Sequence, residues 1–416
     1  GISDEILVRF LPNVKEREKN ELHEKFGIKV VKTTKIYQKL VVPKGTDVLE
    51  TANRYYETGL FEFAYPCFVT NFEPFQIYPN DTYFSNQITC HNTGQTFTDG
   101  HSGTNDADID APDVWDITTG NNDIVIAVLD QGVTSNHPDL PNSRQVRLPG
   151  SDFVSNDNDP SPIGNENHGN ACAGVIAATM NNNQGIAGIA PNCRIMPIRM
   201  LGVGIGPDDI ADAIEFAVDN GADILSNSWG NGSSNPNDEP SIVTAIDYAI
   251  INNRVVLIAA GNNADHHNSD NGFVAFPANV NVPGVITVGA SDRNDNQANY
   301  SPTSSLIDIV APSNRLMPWQ NIAGETYEMW SIDIPDSAGY NVWHGPLTPP
   351  ALGEVLPSTG TNHLAYTARF GGTSHSCPVV ASVAALMLSV DPTLSNQDIF
   401  NVLTNTADKV GGYTYS

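Results

Sequence analysis

The sequence predicts an α/β domain on a doubly wound, mostly parallel sheet, preceded by a small α+β domain. Three observations carry that expectation. Continuous apolar runs at 124–129 and 255–260 lead into glycine-marked turns, as strands buried on both faces do. Apolar segments rich in small residues at 171–178 and 379–388 have the composition of helices packed tightly on a sheet. The first seventy-five residues read differently, with short alternating strands between charged helices. At 416 residues and 40% hydrophobic content there is enough core for one large domain and a small one.

Residues 6–10 alternate as a strand, and 16–26 form a charged amphipathic helix ended by Gly27. Residues 28–42 alternate again, with a break near Thr33 and Thr34. Asp47 caps a second helix over 48–58, stopped by Gly59, and 61–69 is a last strand. This β-α-β-β-α-β order is a ferredoxin-like pattern. Residues 70–79 read as an exposed linker, and 98–110 as a Gly/Asp-rich surface loop.

Charge separates the two parts. Residues 1–75 hold eleven basic and eleven acidic side chains, so the formal charge of −27 falls entirely on the remainder. Such a field repels nucleic acid and anionic membranes and favours cationic partners, calcium among them. No apolar run approaches eighteen residues, so no membrane span is expected; Gly1 opens directly into the N-terminal domain, and a signal peptide removed ahead of it is compatible with this start. Five cysteines are too few for a disulfide scaffold; one disulfide is possible, its pairing open.

Four segments carry candidate chemistry. Asp130 ends the strand 124–129, and open α/β sheets place chemistry at the carboxyl ends of strands. The plainer reading is a turn-capping Asp. His168 opens a helix of small residues beside glycine, where the plainer reading is a core histidine. Asn262 follows the strand 254–260, and its plainer reading is a left-handed turn. Gly372-Thr373-Ser374 runs into an apolar helix, which puts a serine hydroxyl where free N–H groups and the helix dipole stabilise negative charge.

Together these segments resemble the subtilisin-like serine proteases (subtilases), in which the order is Asp, His, Ser. The resemblance runs from about residue 80 to about residue 405. It implies that Ser374 is the nucleophile, His168 the general base and then acid, and Asp130 the group that holds the imidazole. It implies that Asn262 donates to the oxyanion. Ser228, Trp229 and Gly230 match the strand that pairs with substrate backbone, and Ala275 the floor of the pocket before the scissile bond. Asp139 and Asn182 match positions of a structural calcium site, and the oxygen-rich loop 155–160 is a second, weaker candidate. In front of such a domain, residues 1–75 resemble a propeptide that chaperones folding and inhibits. The expected protein is a secreted, monomeric serine endopeptidase made as a zymogen. It acts on protein or peptide substrates with calcium as a structural cofactor, and its own propeptide is an intramolecular partner.

Several positions depart from the family pattern. Gln131, Asn170 and His375 stand where the family more often has other residues; with His375 in place of an oxidisable Met the protease is expected to be less sensitive to peroxide, the plainer reading being that His375 packs at the rim. Cys172, one turn after His168, matches a free thiol of the proteinase K and kexin-like branches; Cys172 and Cys377 are the nucleophiles of a thiol-protease alternative. An insertion at about 313–368 is expected to fold near the nucleophile, as a β-hairpin shaping the cleft. The chain stops where the family pattern continues, so its C-terminus reads as truncated. The rival functions are a kexin-like processing protease, a catalytically silent binding protein, and a transpeptidase.

Overall fold

The structure is a computed structural model and describes residues 2–68, 77–317, 326–335, 338–340, 363–411 and 413. The chain divides into two compact units, Gly1–Phe75 and Gln76–Ser416.

The first unit holds β1 (Ile2–Phe10), α1 (Glu16–Phe26), β2 (Lys29–Thr33), β3 (Gln38–Val41), α2 (Val48–Tyr56) and β4 (Phe61–Phe68). Its sheet runs β2-β3-β1-β4 with every neighbour antiparallel, the order of a ferredoxin-like unit. Local signals set the boundaries. The Glu18 carboxylate accepts from Lys15 N–H at the start of α1, Gly27 closes that helix at φ 65°, and Asp47 accepts from Glu50 N–H to cap α2. Ile6, Val8, Leu22, Leu40, Ala52, Tyr55 and Phe61 fill the space between sheet and helices. The expected linker falls mostly outside the described residues.

The second unit is built on a six-stranded parallel sheet: β5 (Val125–Asp130), β6 (Arg194–Arg199), β7 (Ile224–Asn227), β8 (Val255–Ala259), β9 (Val285–Ser291) and β10 (Ile309–Pro312). Its order is β10-β9-β8-β7-β5-β6. The chain passes from β5 outward to β6, then returns to β7 on the other side. That reversal leaves a crevice at the carboxyl ends of β5 and β7. Both faces are covered. Ile126 and Val128 of β5 join the core with α4 (His168–Ala177), α7 (Thr373–Val390) and α8 (Asn396–Thr406). Val125, Ala127 and Leu129 join the opposite core with α5 (Pro207–Asp219) and α6 (Pro240–Ile251). The period-two alternation of a strand thus feeds two cores, which is why the run reads as continuously apolar. A short helix, α3 (Ala111–Trp115), completes the α-helices of the described residues.

Two expectations need correction here. One helix is long and apolar enough to cross a membrane: α7 has eighteen residues and a mean hydropathy of 1.4. Ser376, Pro378 and Ser382 break its apolar run, so counting consecutive residues misses it. It is mostly buried and packs against β7, β8 and β9, which makes it a core helix. Nor is there a disulfide among the four cysteines of this unit: Cys90, Cys172, Cys193 and Cys377 are all free and buried.

The insertion contributes β11 (Ser331–Ile332) and β12 (Tyr366–Thr367), an antiparallel pair. The expected hairpin base is therefore present. β11 packs on α4, while the first residues of the insertion fasten the turn before Ser374: Ser313 Oγ donates to Gly372 O at 3.0 Å and Asn314 Oδ1 accepts from Gly372 N–H at 2.7 Å. Residues 318–325, 336–337 and 341–362 lie outside the described part.

Candidate active site

Asp130 is the last residue of β5 and 1% exposed. Its carboxylate accepts from His168 Nδ1 at 3.0 and 2.8 Å, and from Gln131 N–H at 2.7 Å. With Nδ1 donating, the His168 Nε2 lone pair is left to take a proton. Helix α4 approaches closely because residue 169 is glycine: a Cβ there would lie 2.4 Å from Gly132 O and 3.1 Å from Asp130 Cβ. Two departures from the family pattern find work at this junction. Gln131 Oε1 accepts from His168 N–H at 3.3 Å, and Asn170 Oδ1 accepts from Thr134 N–H at 2.6 Å. Burial alone would lower the His168 pKa. The charge of Asp130 and its hydrogen bond outweigh burial and hold it above the ordinary value.

Ser374 sits in the first turn of α7. Gly372, at φ 79°, makes the entry; a Cβ there would lie 2.9 Å from Asn262 Nδ2. The neighbouring amides are committed: Gly372 N–H to Asn314 Oδ1 at 2.7 Å, Thr373 N–H to Asn262 Oδ1 at 2.9 Å, His375 N–H to Gly372 O at 3.0 Å. Ser374 N–H has no partner among the described residues and is one of the free donors of a helix start. Asn262 Oδ1 also accepts from Thr373 Oγ1 at 2.9 Å. With the oxygen held twice, the Asn262 amide nitrogen is the group left to donate toward Ser374.

Proline explains how the nucleophile is tied down. Pro378 lies inside α7 and has no N–H for the carbonyl four residues earlier, which is that of Ser374. That carbonyl instead accepts from Ser228 Oγ at 3.1 Å and Cys172 Sγ at 3.8 Å. Ser374 Oγ in turn donates to Ser228 O at 3.3 Å. Among the described residues no hydrogen bond joins Ser374 Oγ to His168 Nε2, so the hydroxyl must turn from Ser228 to engage the base. Catalytic hydrogen bonds often tighten only when substrate is bound.

Ser228, Trp229, Gly230, Asn262, Ala275 and Ser374 line one cleft of about 300 Å³. β7 ends at Asn227, so Ser228–Gly230 continue beyond the sheet as an edge, with Ser228 itself buried against Ser374. His375 is not at the rim. One helical step turns it into the core, 2% exposed, where Nδ1 faces Pro312 O at 3.1 Å. Burial drives its pKa down to about 4.

Asp130, His168 and Cys172 are also a trio whose ligand atoms lie within 4.8 Å of one another. Burial pushes the Cys172 thiol well up, and Asp130 beside it adds to the shift. Burial likewise pushes Cys377 up to about 11. Both sulfurs therefore stay protonated near neutral pH, which suits neither a metal ligand nor a nucleophile.

The candidate metal residues do meet. Asp139 is fully buried, and its Oδ1 accepts from Asn182 Nδ2 at 2.6 Å. Sequence reasoning missed Asp81, whose Oδ2 accepts from Asn181 N–H at 2.7 Å and whose charge presses on Asp139. Only its place in the stretch that opens the second unit could have signalled it. Burial, with Asp81 adding, raises Asp139 up to about 7. A buried carboxylate pressed by a second one, with an amide alongside, is a hard-oxygen set that fits calcium. For Asn182 to ligate, its amide must turn to offer Oδ1. The loop 155–160 fits an ion less well, because Arg147 pairs with Asp159 and Asn158 Oδ1 accepts from Gly150 N–H at 3.1 Å.

The chain is similar to several known proteins. A "Thermophilic serine proteinase" of Bacillus sp. (strain AK1) is 32% identical over 414 residues, 99% of this chain and 84% of that protein. A "Calcium-dependent protease" of Trichormus variabilis is 30% identical over 88% of this chain, which spans 52% of that longer protein. A solved protease from Pseudoalteromonas arctica PAMC 21717 superposes with a TM-score of 0.59 at 27% identity, covering 81% of this chain and 95% of that one. The model of the subtilase family matches residues 121–415, a span that holds the whole parallel sheet together with Asp130, His168 and Ser374. The chain belongs to the subtilase family.

Proposed function

We propose that the protein is a secreted serine endopeptidase, made as a zymogen, that cleaves peptide bonds through an acyl-enzyme on Ser374. The observation that carries the reading is the half-buried His168 held by the buried Asp130 beside a serine whose own N–H and neighbouring Asn262 amide are left to donate. Ser374 Oγ attacks the carbonyl carbon of the substrate as His168 Nε2 takes its proton. Asp130 stabilises the imidazolium. Asn262 Nδ2 and Ser374 N–H receive the oxyanion. His168 then protonates the leaving amine, and water repeats the sequence to free the acid.

Substrate backbone aligns along Ser228, Trp229 and Gly230. The small side chain of Ala275 leaves the cleft open to a large apolar residue before the scissile bond. The ferredoxin-like first unit acts as propeptide, with processing in residues 70–79. Asp139, Asn182 and Asp81 would hold a calcium ion, which would neutralise the charge of the buried carboxylates. The mature enzyme works as a monomer.

Intact mass and N-terminal sequencing of the parent and Ser374→Ala proteins test this reading, alongside casein hydrolysis with and without a phosphonofluoridate. The expected result is loss of about the first 75 residues in the parent alone, with caseinolysis blocked by the reagent. Two full-length proteins, inert even after another protease removes the first unit, would overturn it.

A further inference from the structure

We propose that Tyr366 and Ser331 turn the cation site at Asp139 into a brace for the helix that carries His168. The inference rests on the cation reading above and extends it to residues of the insertion. Tyr366 is 2% exposed, and its hydroxyl has no hydrogen-bond partner among the described residues. A buried polar atom left unpaired demands an explanation. The ring is seated on Gly185: the point where a Gly185 Cβ would sit lies 2.0 Å from Tyr366 Cε1, 2.4 Å from its Cζ and 2.3 Å from Asp139 Oδ2. The phenol thus stands beside the carboxylate, and a cation held there gives its oxygen a partner.

From Tyr366 the path to the catalytic helix is short. Tyr366 on β12 pairs with Ile332 on β11. The adjacent Ser331 Oγ donates to Ala171 O at 2.6 Å, in a buried bond one turn beyond His168. β11 also lies directly on the α4 backbone, since a Cβ on Gly174 would fall 2.7 Å from Ile332 Cγ1 and 2.9 Å from its N. A second tie runs parallel. His137 Nδ1 accepts from Asp139 N–H at 3.0 Å, and its Nε2–H donates to Ala365 O at 2.9 Å. Tyr83 closes the cluster. Its N–H donates to Gly185 O at 2.8 Å, and its ring stacks on Trp330 at 4.6 Å and meets Tyr366 edge-on at 5.6 Å. A loop ordered by the ion therefore fixes β12, β12 fixes β11, and Ser331 fixes α4. Ser331 and Tyr366 are positioning residues that touch neither substrate nor nucleophile.

The test is hydrogen exchange on the whole chain carrying Ser374→Ala, in calcium and in EGTA, with calcium binding followed by calorimetry. Calcium is expected to slow exchange at least ~10-fold in residues 179–186, and also in 329–334, 365–369 and 168–177. Adding Ser331→Ala should keep protection of 179–186 and 365–369 while losing that of 168–177, and Ser331→Thr should restore it. Tyr366→Phe should weaken calcium binding several-fold. Protection confined to 179–186, or α4 protection unchanged by Ser331→Ala, would overturn the brace and leave the cation reading standing. Absence of calcium binding would overturn both. If Ser331→Ala does not fold, the response of 168–177 to calcium in the Ser374→Ala chain decides.

Discussion

Asn262→Ala is the sharpest perturbation of the proposed mechanism, because the side chain is held at one end and offered at the other. Its Oδ1 accepts from Thr373 N–H and Oγ1–H, each at 2.9 Å. At about 1 kcal/mol net for each neutral hydrogen bond, turning the amide over would cost about 2 kcal/mol. The nitrogen is thus aimed toward the carbonyl under attack before substrate arrives. Loss of such a donor costs about 10²–10³ in kcat, the scale established for subtilisin's own asparagine. KM should hardly move, since the bond strengthens only as charge develops. Thr373→Val removes one of the two anchors, so about 1 kcal/mol and roughly five-fold in kcat are expected. Thr373→Ser should behave as the parent. The assay is kcat and KM on a chromogenic peptide, with active sites titrated so that misfolded protein does not count. If Asn262→Ala keeps more than half the parent kcat, or loses only through KM, the oxyanion is not where Asn262 and Ser374 N–H converge.

Three further outcomes follow from other groups. Because Asp130 outweighs burial and raises His168, the acid limb of kcat/KM should titrate above the ordinary imidazole value of 6.5; Asp130→Asn should shift it down and cut kcat by about 10⁴. A limb at or below 6.5 in the parent would contradict the pairing. Calcium at a thousand times its dissociation constant should stabilise the Ser374→Ala chain by about 4 kcal/mol, seen as a rise in Tm that EGTA and Asp139→Asn each abolish. In the first unit, burial lowers the pKa of His23, whose ring nitrogens face Tyr55 OH and Gln38 Oε1 with Glu16 and Lys19 nearby. The unfolded chain then binds the proton first, so that unit should lose stability as pH falls below 6.5. Hydrogen exchange of residues 16–41 should rise at about pH 5 in the parent and much less in His23→Gln; equal pH dependence in both would refute the assignment.

The strands and the local settings of Asp130, His168 and Ser374 were legible because each is written in one short window: an apolar run, a turn, a helix start. The ferredoxin-like unit was legible for the same reason, down to the Asp47 cap and Gly27. Other features depend on contacts between distant segments. Asp81 meets the loop that carries Asn182 a hundred residues later, and Ser331 meets Ala171 across a separation of 160. No periodicity encodes such meetings. His375 was misplaced for a different reason: being next to the nucleophile in sequence says little on a helix, where each residue turns about 100° from the last. The apolar length of α7 was missed because small polar residues, harmless in a helix packed on a sheet, interrupt the count.

The site gathers the places where local rules are broken. A proline lies inside α7, a glycine at φ 79° opens it, and four of the groups that define the site end β5, follow β7 and β8, or begin α4. Each irregularity does something a regular element cannot. Pro378 releases the Ser374 carbonyl from the helix ladder, so the first turn of α7 can be fastened sideways to Ser228 and Cys172. Gly372 gives the Asn262 amide room to lie against the turn, and Gly169 lets α4 close on Asp130. The parallel sheet, covered on both faces, is the rigid part that holds these exceptions in register. The turn at Ser374 is thereby tied at once to Ser228 after β7, to Asn262 after β8 and to Cys172 on α4.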